Sequence, residues 1–451
     1  MSTETFADAR IKPAVRWSLG HALPRQVMVR AARKGDLHGR MVAEATTSAG
    51  TSFGTPDDVK LLRLFEEIRA AGPLYRGRYA YVTAAQEVVR EVLTSADFRT
   101  GVDLGGGNGP LGRLMSWSTV PGLLGPLSPP SLLVTEPPDH TRYRRLVTRV
   151  FTVKAVEHLR VRTQEIANAL LDDLERQHGG SVVELVDTYC AQLPVTVIAE
   201  VLGVPAADHD RVLEFGTAAA PSLDLGLGWS EFRSVETGLA AFDAWLTQHL
   251  DHLRKHPGDD LMSKLVAVRD EDGTLNDAEL KATAGLVLAA GFETTVNLLG
   301  NGISLLAAHP EQRALLRERP ELWANAVDEV LRLDPPVLLT GRTAARDTEV
   351  AGRPVPAGAL VTTVLAAANR DPDVFVDPSR FDVSRDNARD HMSFSAGRHY
   401  CLGAALARME GEVGLQTLFE RYPDLRIEPG ARRRPTRILR GFAHLPVRLR
   451  P

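Results

Sequence analysis

Phe394-Ser395-Ala396-Gly397-Arg398-His399-Tyr400-Cys401-Leu402-Gly403 runs directly into Ala404-Ala405-Leu406-Ala407-Arg408-Met409-Glu410, a segment of good helix formers. A glycine-bearing loop therefore delivers one cysteine to a helix start. There the unpaired backbone N–H groups and the positive end of the helix dipole favour a thiolate, the form that ligates iron or attacks an electrophile. A lone cysteine is more often an inert core residue, and Cys190, inside the helical context Tyr189-Cys190-Ala191-Gln192, reads that way. The two cysteines stand in no CxxC spacing, which argues against a disulfide framework or a four-thiolate metal site and fits a reducing cytoplasm.

Outward from that loop, helical periodicity dominates. Leu146, Val150, Val156, Leu159, Ile166, Leu170 and Leu174 recur at three- and four-residue steps between Arg142 and Glu175, and Thr188 to Leu202 and Val235 to Leu253 behave alike. The clearest helix starts at Asn276, which has capping-box spacing to Glu279, and runs to His309, where Pro310 stops it. About 33 residues of helix span roughly 50 Å, and an almost wholly apolar surface from Leu286 to Phe292 makes this a buried shaft. Strand patterns are confined to Leu74–Val82 and Val337–Val364. The fold class is therefore mainly α with a small β-sheet region.

With 451 residues, 44% apolar and 24% charged, and a net charge of -4, the chain is neither collagen-like nor disordered. It has no basic stripe with interleaved aromatics, which excludes a nucleic-acid binder of the usual kind. Arg10, Lys12, Arg16, Arg25 and Arg30 punctuate short apolar pieces, and no early run is long enough for a signal or spanning segment. Residues 1–60 read as an N-terminal arm docked on a body of residues 61–451, in preference to a basic segment resting on a membrane. Gly101–Pro130 and Ala218–Gly228 read as mobile flaps over that body, and Arg432-Arg433-Arg434 as solvated surface. Gly107-Asn108-Gly109-Pro110-Leu111-Gly112 satisfies GxGxxG, but a poor strand precedes it and prolines follow, so a dinucleotide site is rejected.

Three further segments carry chemistry. Ala290-Gly291-Phe292-Glu293-Thr294-Thr295 puts an acid beside a hydroxyl inside the buried helix, an expensive placement for mere packing. Glu329-Val330-Leu331-Arg332 sets an acid and an arginine on one helix face, and His140 and Arg144 in Glu136-Pro137-Pro138-Asp139-His140-Thr141-Arg142-Tyr143-Arg144-Arg145 stand at i, i+4 and reach one anion together.

In this order the segments resemble the cytochrome P450 family. Phe394, Gly397, His399, Cys401 and Gly403 match the spacing of its haem-binding signature, with Ser395 where the family usually has glycine. The resemblance covers roughly Leu61 to Leu449, looks most like soluble actinobacterial and mycobacterial members, and implies one P450-fold catalytic domain. It implies haem b (iron protoporphyrin IX) with Cys401 as axial iron ligand, and propionates held by His140, Arg144, Arg342 and His399. Thr294 is implied as the proton-delivering residue, Glu293 as its link to solvent, and a helix interruption at Ala290-Gly291 as room for dioxygen. Glu329, Arg332 and Arg380 match the structural ExxR-Arg set.

The implied activity is a monooxygenase that puts one atom of O2 into a C–H bond and releases the other as water. Leu288, Phe292, Leu338, Leu339 and Phe442 are the expected apolar substrate contacts, which points to a hydrophobic small molecule such as a lipid, polyketide or terpenoid. With no flavin or iron-sulfur module of its own, the chain needs a ferredoxin or flavodoxin-type donor. Arg142, Arg145, Arg398 and Arg408 are expected to form its basic docking patch on the proximal face, although Arg142 and Arg145 also fit a merely solvated basic face. A haem-binding protein of the same fold without turnover, or a peroxide-driven enzyme, stays open as the alternative. A Cys401–His399 hydrolase does not, because i, i+2 spacing at a turn aligns poorly and no orienting acid stands nearby.

Overall fold

Asn276 forms its capping box: its Oδ1 accepts from the Glu279 N–H at 3.0 Å, and Glu279 Oε2 accepts from the Asn276 N–H at 2.9 Å. The helix so started, Asp277–Ala308, crosses the molecule as its central shaft, and its residues from Thr295 to Leu306 are all buried. Among the described residues it alone is long and apolar enough to cross a membrane, and here protein covers it. Gln192–Val201, His209–Ala219 and Ala404–Arg421 pack along it, burying a continuous aliphatic core that also takes in the helix Trp323–Leu333. This computed structural model describes residues 8–47, 56–101, 113–114, 117–118, 127–150, 152–178, 182–224, 226–268 and 273–450. The GxGxxG stretch at 107–112 lies outside them.

The two strand regions read from sequence meet in one five-stranded sheet, ordered Tyr75–Arg76, Tyr81–Thr83, Leu360–Thr363, Thr340–Ala344, Phe98–Arg99. Tyr81–Thr83 runs parallel to Leu360–Thr363 and the other pairs are antiparallel. Sequence pattern missed a three-stranded sheet of Val182–Glu184, Pro446–Arg448 and Arg426–Ile427, whose strands are only two or three residues long. The periodic run from Arg142 to Glu175 is two helices, Asp139–Val150 and Val153–His178, and the Thr188–Leu202 run opens with a π-turn at Val186–Cys190.

The arm folds as three helices, Asp8–Trp17, Leu23–Arg33 and Leu37–Thr47, the first two joined by a π-turn. Of the basic run at 432–434, Arg432 is exposed as expected and Arg434 partly so, but Arg433 is not solvated surface. Arg433 is 2% exposed, donates to Asn301 Oδ1 at 2.9 Å and to Asp334 Oδ2 at 2.5 Å, and Asp334 also accepts from Arg440 Nε at 2.8 Å. Two arginines on one buried carboxylate pin both ends of the C-terminal segment Arg433–Arg440 to the core and hold the Asp334 carboxyl below its usual range against the effect of burial.

Candidate active site

The cysteine loop is hung from the Trp323–Leu333 helix. Ser393 Oγ donates to the Leu331 carbonyl at 2.6 Å and accepts from Asn369 Nδ2 at 2.8 Å, while Asn369 Oδ1 accepts from the Met392 N–H at 2.6 Å. Asp328 of the same helix accepts from Arg408 Nε at 2.7 Å, and the Arg408 guanidinium lies 4.6 Å from the centre of the Phe394 ring. Within the loop the Cys401 N–H donates to the Phe394 carbonyl at 2.9 Å, and Gly397–His399 make one 3₁₀ turn. Gly397 has φ +67°, and a Cβ there would stand 2.6 Å from the Leu93 carbonyl oxygen, so glycine is required. Ser395, the departure from the family pattern, carries φ +63° with a Cβ, and its buried Oγ finds no partner.

Cys401 keeps accessible surface at the start of Ala404–Arg421, yet protein crowds around it. Burial pushes its thiol pKa up, against the Gly403 N–H and the Arg144 and Arg408 charges that favour thiolate. The helix-start effect expected from sequence is present but outweighed; a bound metal ion deprotonates a coordinating thiol outright. Cys190 is buried and its thiol pKa is raised by that burial, as expected of a core cysteine.

A cationic cluster stands beside the loop. The His140 and His399 rings lie 4.4 Å apart, and Arg144 is close enough to Cys401 for their charges to interact. Arg342, 5% exposed on the strand Thr340–Ala344, donates only to neutral oxygens, Thr340 Oγ1 at 3.3 Å and the Gly341 carbonyl at 2.9 Å. Burial lowers its pKa to about 10 and that of His399 to about 4, with His140 and Arg342 repelling a proton on His399. Among the described residues no carboxylate is ion-paired with Arg144 or Arg342. Glu136, unassigned by sequence, is the acid of the cluster: its Oε1 accepts from Thr100 N at 2.6 Å and its Oε2 from Arg398 Nε at 3.0 Å. His399 Nε2 lies 3.3 Å from Glu136 Oε1 without a hydrogen bond, a buried nitrogen left without a partner.

The central helix packs against Ala404–Arg421, the helix that follows the cysteine loop. Its half-buried positions Leu286, Val287, Ala290, Gly291 and Thr294 recur with the helical period, and Leu288, Ala289, Phe292 and Glu293 between them are buried. One stripe of this shaft is accessible, apolar except for the Thr294 hydroxyl. No interruption occurs at Ala290-Gly291: the helix is continuous, and Thr294 Oγ1 donates to the Ala290 carbonyl at 2.6 Å. Glu293 does not lead to open solvent. Its carboxylate is 3% exposed and paired with Arg434, and burial pushes its pKa up while Arg434 pulls it down. Nothing local marks Arg434 as this partner.

Glu329 and Arg332 are both fully buried and doubly bonded, at 2.6 and 2.8 Å, and Arg332 also donates to the carbonyls of Asn369, Pro378 and Arg380. The expected third member is corrected. Arg380 is exposed and lends only its backbone carbonyl, whereas Arg385 Nε donates to Glu329 Oε1 at 3.2 Å, because the turn after Phe381 swings that side chain inward. Leu288, Phe292 and Phe442 sit in the main core and Leu338 and Leu339 in a second cluster, all below a tenth exposed. Phe442 fills the gap between Arg433 and Gly300. All five side chains are thus buried, and Leu288 and Phe292 lie one helical phase away from the accessible stripe.

The arginines expected as a free docking patch are largely engaged. Arg142 pairs with Glu279 and donates to the Thr274 carbonyl at 3.3 Å; Arg398 holds Glu136, Ser95 and Phe98; Arg408 holds Asp328. Arg142 is thus no solvated face, although all three side chains stay 19–26% exposed.

A cytochrome P450 family model matches residues 225–448. A putative cytochrome P450 140 of Mycobacterium tuberculosis is 49% identical over 444 residues, 98% of each chain. The 6-deoxyerythronolide B hydroxylase of Saccharopolyspora erythraea is 42% identical over 321 residues, 70% of this chain and 77% of that one. Among solved structures, P450BioI in complex with a hexadec-9Z-enoic acid ligated acyl carrier protein superposes with a TM-score of 0.77 at 29% identity, over 86% of this chain and 99% of that one. The donor set suits the haem such proteins carry: among the described residues the buried Arg342 and half-buried Arg144 have no carboxylate ion pair, His399 Nε2 has no hydrogen-bond partner, and Arg144 lies within charge range of the Cys401 thiol, a set fitted to two propionates and a thiolate. With a cysteine loop, a cationic cluster and an apolar helix stripe in these relations, and with relatives of this extent and identity, the chain belongs to the cytochrome P450 family of haem-dependent monooxygenases.

Proposed function

We propose that this monooxygenase hydroxylates a hydrophobic small molecule of the lipid, polyketide or terpenoid kind. The accessible stripe Leu286, Val287, Ala290, Gly291 and Thr294 carries the reading: an apolar wall with one hydroxyl selects an apolar ligand and offers one proton-handling group. Relatives named as hydroxylases of 6-deoxyerythronolide B and vitamin D(3) support it. Bound haem supplies the activation of dioxygen. Cys401 is its ligand in this reading, and His140, Arg144, Arg342 and His399 hold its propionates, arginine suiting a carboxylate through its two-pronged donor geometry. Phe394, Gly397 and Gly403 shape the loop. Thr294 presents its hydroxyl to the stripe while its own proton rests on the Ala290 carbonyl, and Glu293, held by Arg434, is the proton reservoir one residue back.

In the same reading residues 61–451 are the catalytic domain, residues 1–60 a docked arm, and the protein is cytoplasmic. Electrons come from a separate ferredoxin or flavodoxin-type donor. The partly exposed Arg398 and Arg408 still contribute positive field on the Cys401 side, so donor docking weakens with salt. The test has two stages. Dithionite reduction under carbon monoxide should give the strongly red-shifted Soret band of thiolate-ligated haem, and turnover of a ligand found by spectral shift under ¹⁸O₂ should place one labelled atom in the product. Thiolate haem with no label in any product from shifting ligands would favour the haem-binding protein without turnover.

A further inference from the structure

One turn of the arm bonds to Ser118 and to the described part of the link before Trp229–Lys255. Arg16 donates from Nε and Nη2 to Glu236 Oε1, at 2.8 and 2.5 Å, and from Nη1 to the Ser118 carbonyl. Trp17 Nε1 donates to the Leu227 carbonyl at 2.9 Å, and the Leu227 N–H donates to His21 Nδ1 at 3.3 Å. The Trp17 ring meets Trp229 edge-on at 5.6 Å, and His21 meets Phe232 at 5.4 Å. Trp17 also packs on the cluster of Ala219, Leu227, Phe232, Val235, Leu239 and Ala289. Ala289 adjoins Ala290 of the accessible stripe. From the opposite side Asp224 accepts the backbone N–H groups of Arg437 and Ile438, at 3.0 and 2.9 Å.

The link between His209–Ala219 and Trp229–Lys255 is thus clasped between the arm and the C-terminal segment. Loops and lids open at lower free energy than the packed helices they join, so bonds to this link restrain its opening over the Ala289–Ala290 end of the stripe.

We propose that the arm, through Arg16, Trp17 and His21, is the latch and outer wall of the substrate route and sets the size of ligand admitted; this rests on the proposed reading in placing the ligand at the stripe. The variants are Trp17→Phe, which keeps the ring but loses the donor, and Arg16→Gln, both full-length and haem-loaded with their carbon monoxide spectra and melting points checked. Stopped-flow absorbance follows binding of imidazole and of a triphenylmethyl-substituted imidazole, and hydrogen exchange follows the backbone amides of 226–232. The bulky ligand should associate and dissociate about fivefold faster in each variant, the worth of one hydrogen bond, with imidazole rates unchanged and exchange of the Leu227 amide accelerated. Equal effects on both ligands, or unchanged exchange, overturn the latch. Failure of either imidazole to shift the Soret band in the unaltered protein would instead overturn the haem-site reading itself.

Discussion

Arg434 donates from Nη1 to the buried carboxylate of Glu293, tying the C-terminal segment to the central helix across 141 residues of chain. Burial raises the Glu293 pKa, and Arg434 is the first group opposing it. Arg434→Gln should therefore raise it further. An acid whose folded pKa exceeds its unfolded value costs stability as pH rises from the unfolded pKa, about 4.5, through the folded one. The variant should lose about 2 kcal/mol at pH 8 and much less at pH 5, a partly exposed arginine costing less than a fully buried one. Urea unfolding at the two pH values measures this, and an equal loss at both would remove Glu293 as the group concerned. In turnover the alkaline limb of the pH–rate profile, set by the protonated acid, should move to higher pH.

Ser395 holds φ +63° where a side chain costs roughly 1 to 2 kcal/mol, and its hydroxyl has no partner to offset that. Ser395→Gly should stabilise the haem-loaded protein by about 1 kcal/mol once glycine's greater unfolded-state freedom is subtracted. Urea midpoints decide it; a destabilised variant would mean the hydroxyl is used.

The arginine bonded to Glu329 is Arg385, and that choice has a direct assay. Removing it leaves a buried carboxylate short of one charge partner, so Arg385→Ala should cost about 2 to 3 kcal/mol and loosen haem retention, whereas the exposed Arg380→Ala should cost under about 0.5 kcal/mol. The reverse order of melting points would restore Arg380.

His391 is buried with Nε2 3.1 Å from Asp328 and Nδ1 accepting from the Ser393 N–H at 3.1 Å, so the neutral ring fits and a second ring proton does not. Burial lowers its pKa in spite of Asp328. The unfolded chain, whose histidine titrates near the ordinary 6.5, binds more protons in that range, so stability falls as pH drops from 6.5 towards the folded pKa. His391→Asn keeps one donor and one acceptor without titrating, and its unfolding free energy should change less between pH 7.5 and 5.5 than that of the unaltered protein. Parallel slopes would exclude His391 from the acid limb.

What could be read along the chain was what local chemistry decides. The Asn276–Glu279 cap, the Cys401 loop and the Glu329–Arg332 pair depend on neighbours within a few residues, and the structure builds each of them. Helical phase within Leu286–Ala290 was not legible, because a run apolar on every side carries no moment to say which face stays accessible. Leu288 and Phe292 are buried, while Leu286 and Ala290 keep accessible surface. Arg434 on Glu293, Arg385 on Glu329 and Arg398 on Glu136 are tertiary pairings over long separations, and a basic residue reads the same in solvent as against a buried acid. The arm read as a bare docked segment because its helices are short, and its hold on the body rests on Arg16 and Trp17 meeting partners more than 100 residues away.

The cationic cluster joins His140 to His399, and that separation sets a timetable for biosynthesis. A ribosome adding about 5 to 20 residues per second needs roughly 13 to 52 s to get from His140 to Cys401. For most of that interval His140 and Arg144 have been made while the thiol has not, and for most of it the strand Leu360–Thr363 is also still to come. The cofactor pocket is therefore a late product of translation, closed only when Cys401 and its loop join His140 and Arg144, made far earlier, and cofactor capture competes with whatever binds the nascent helices during the wait.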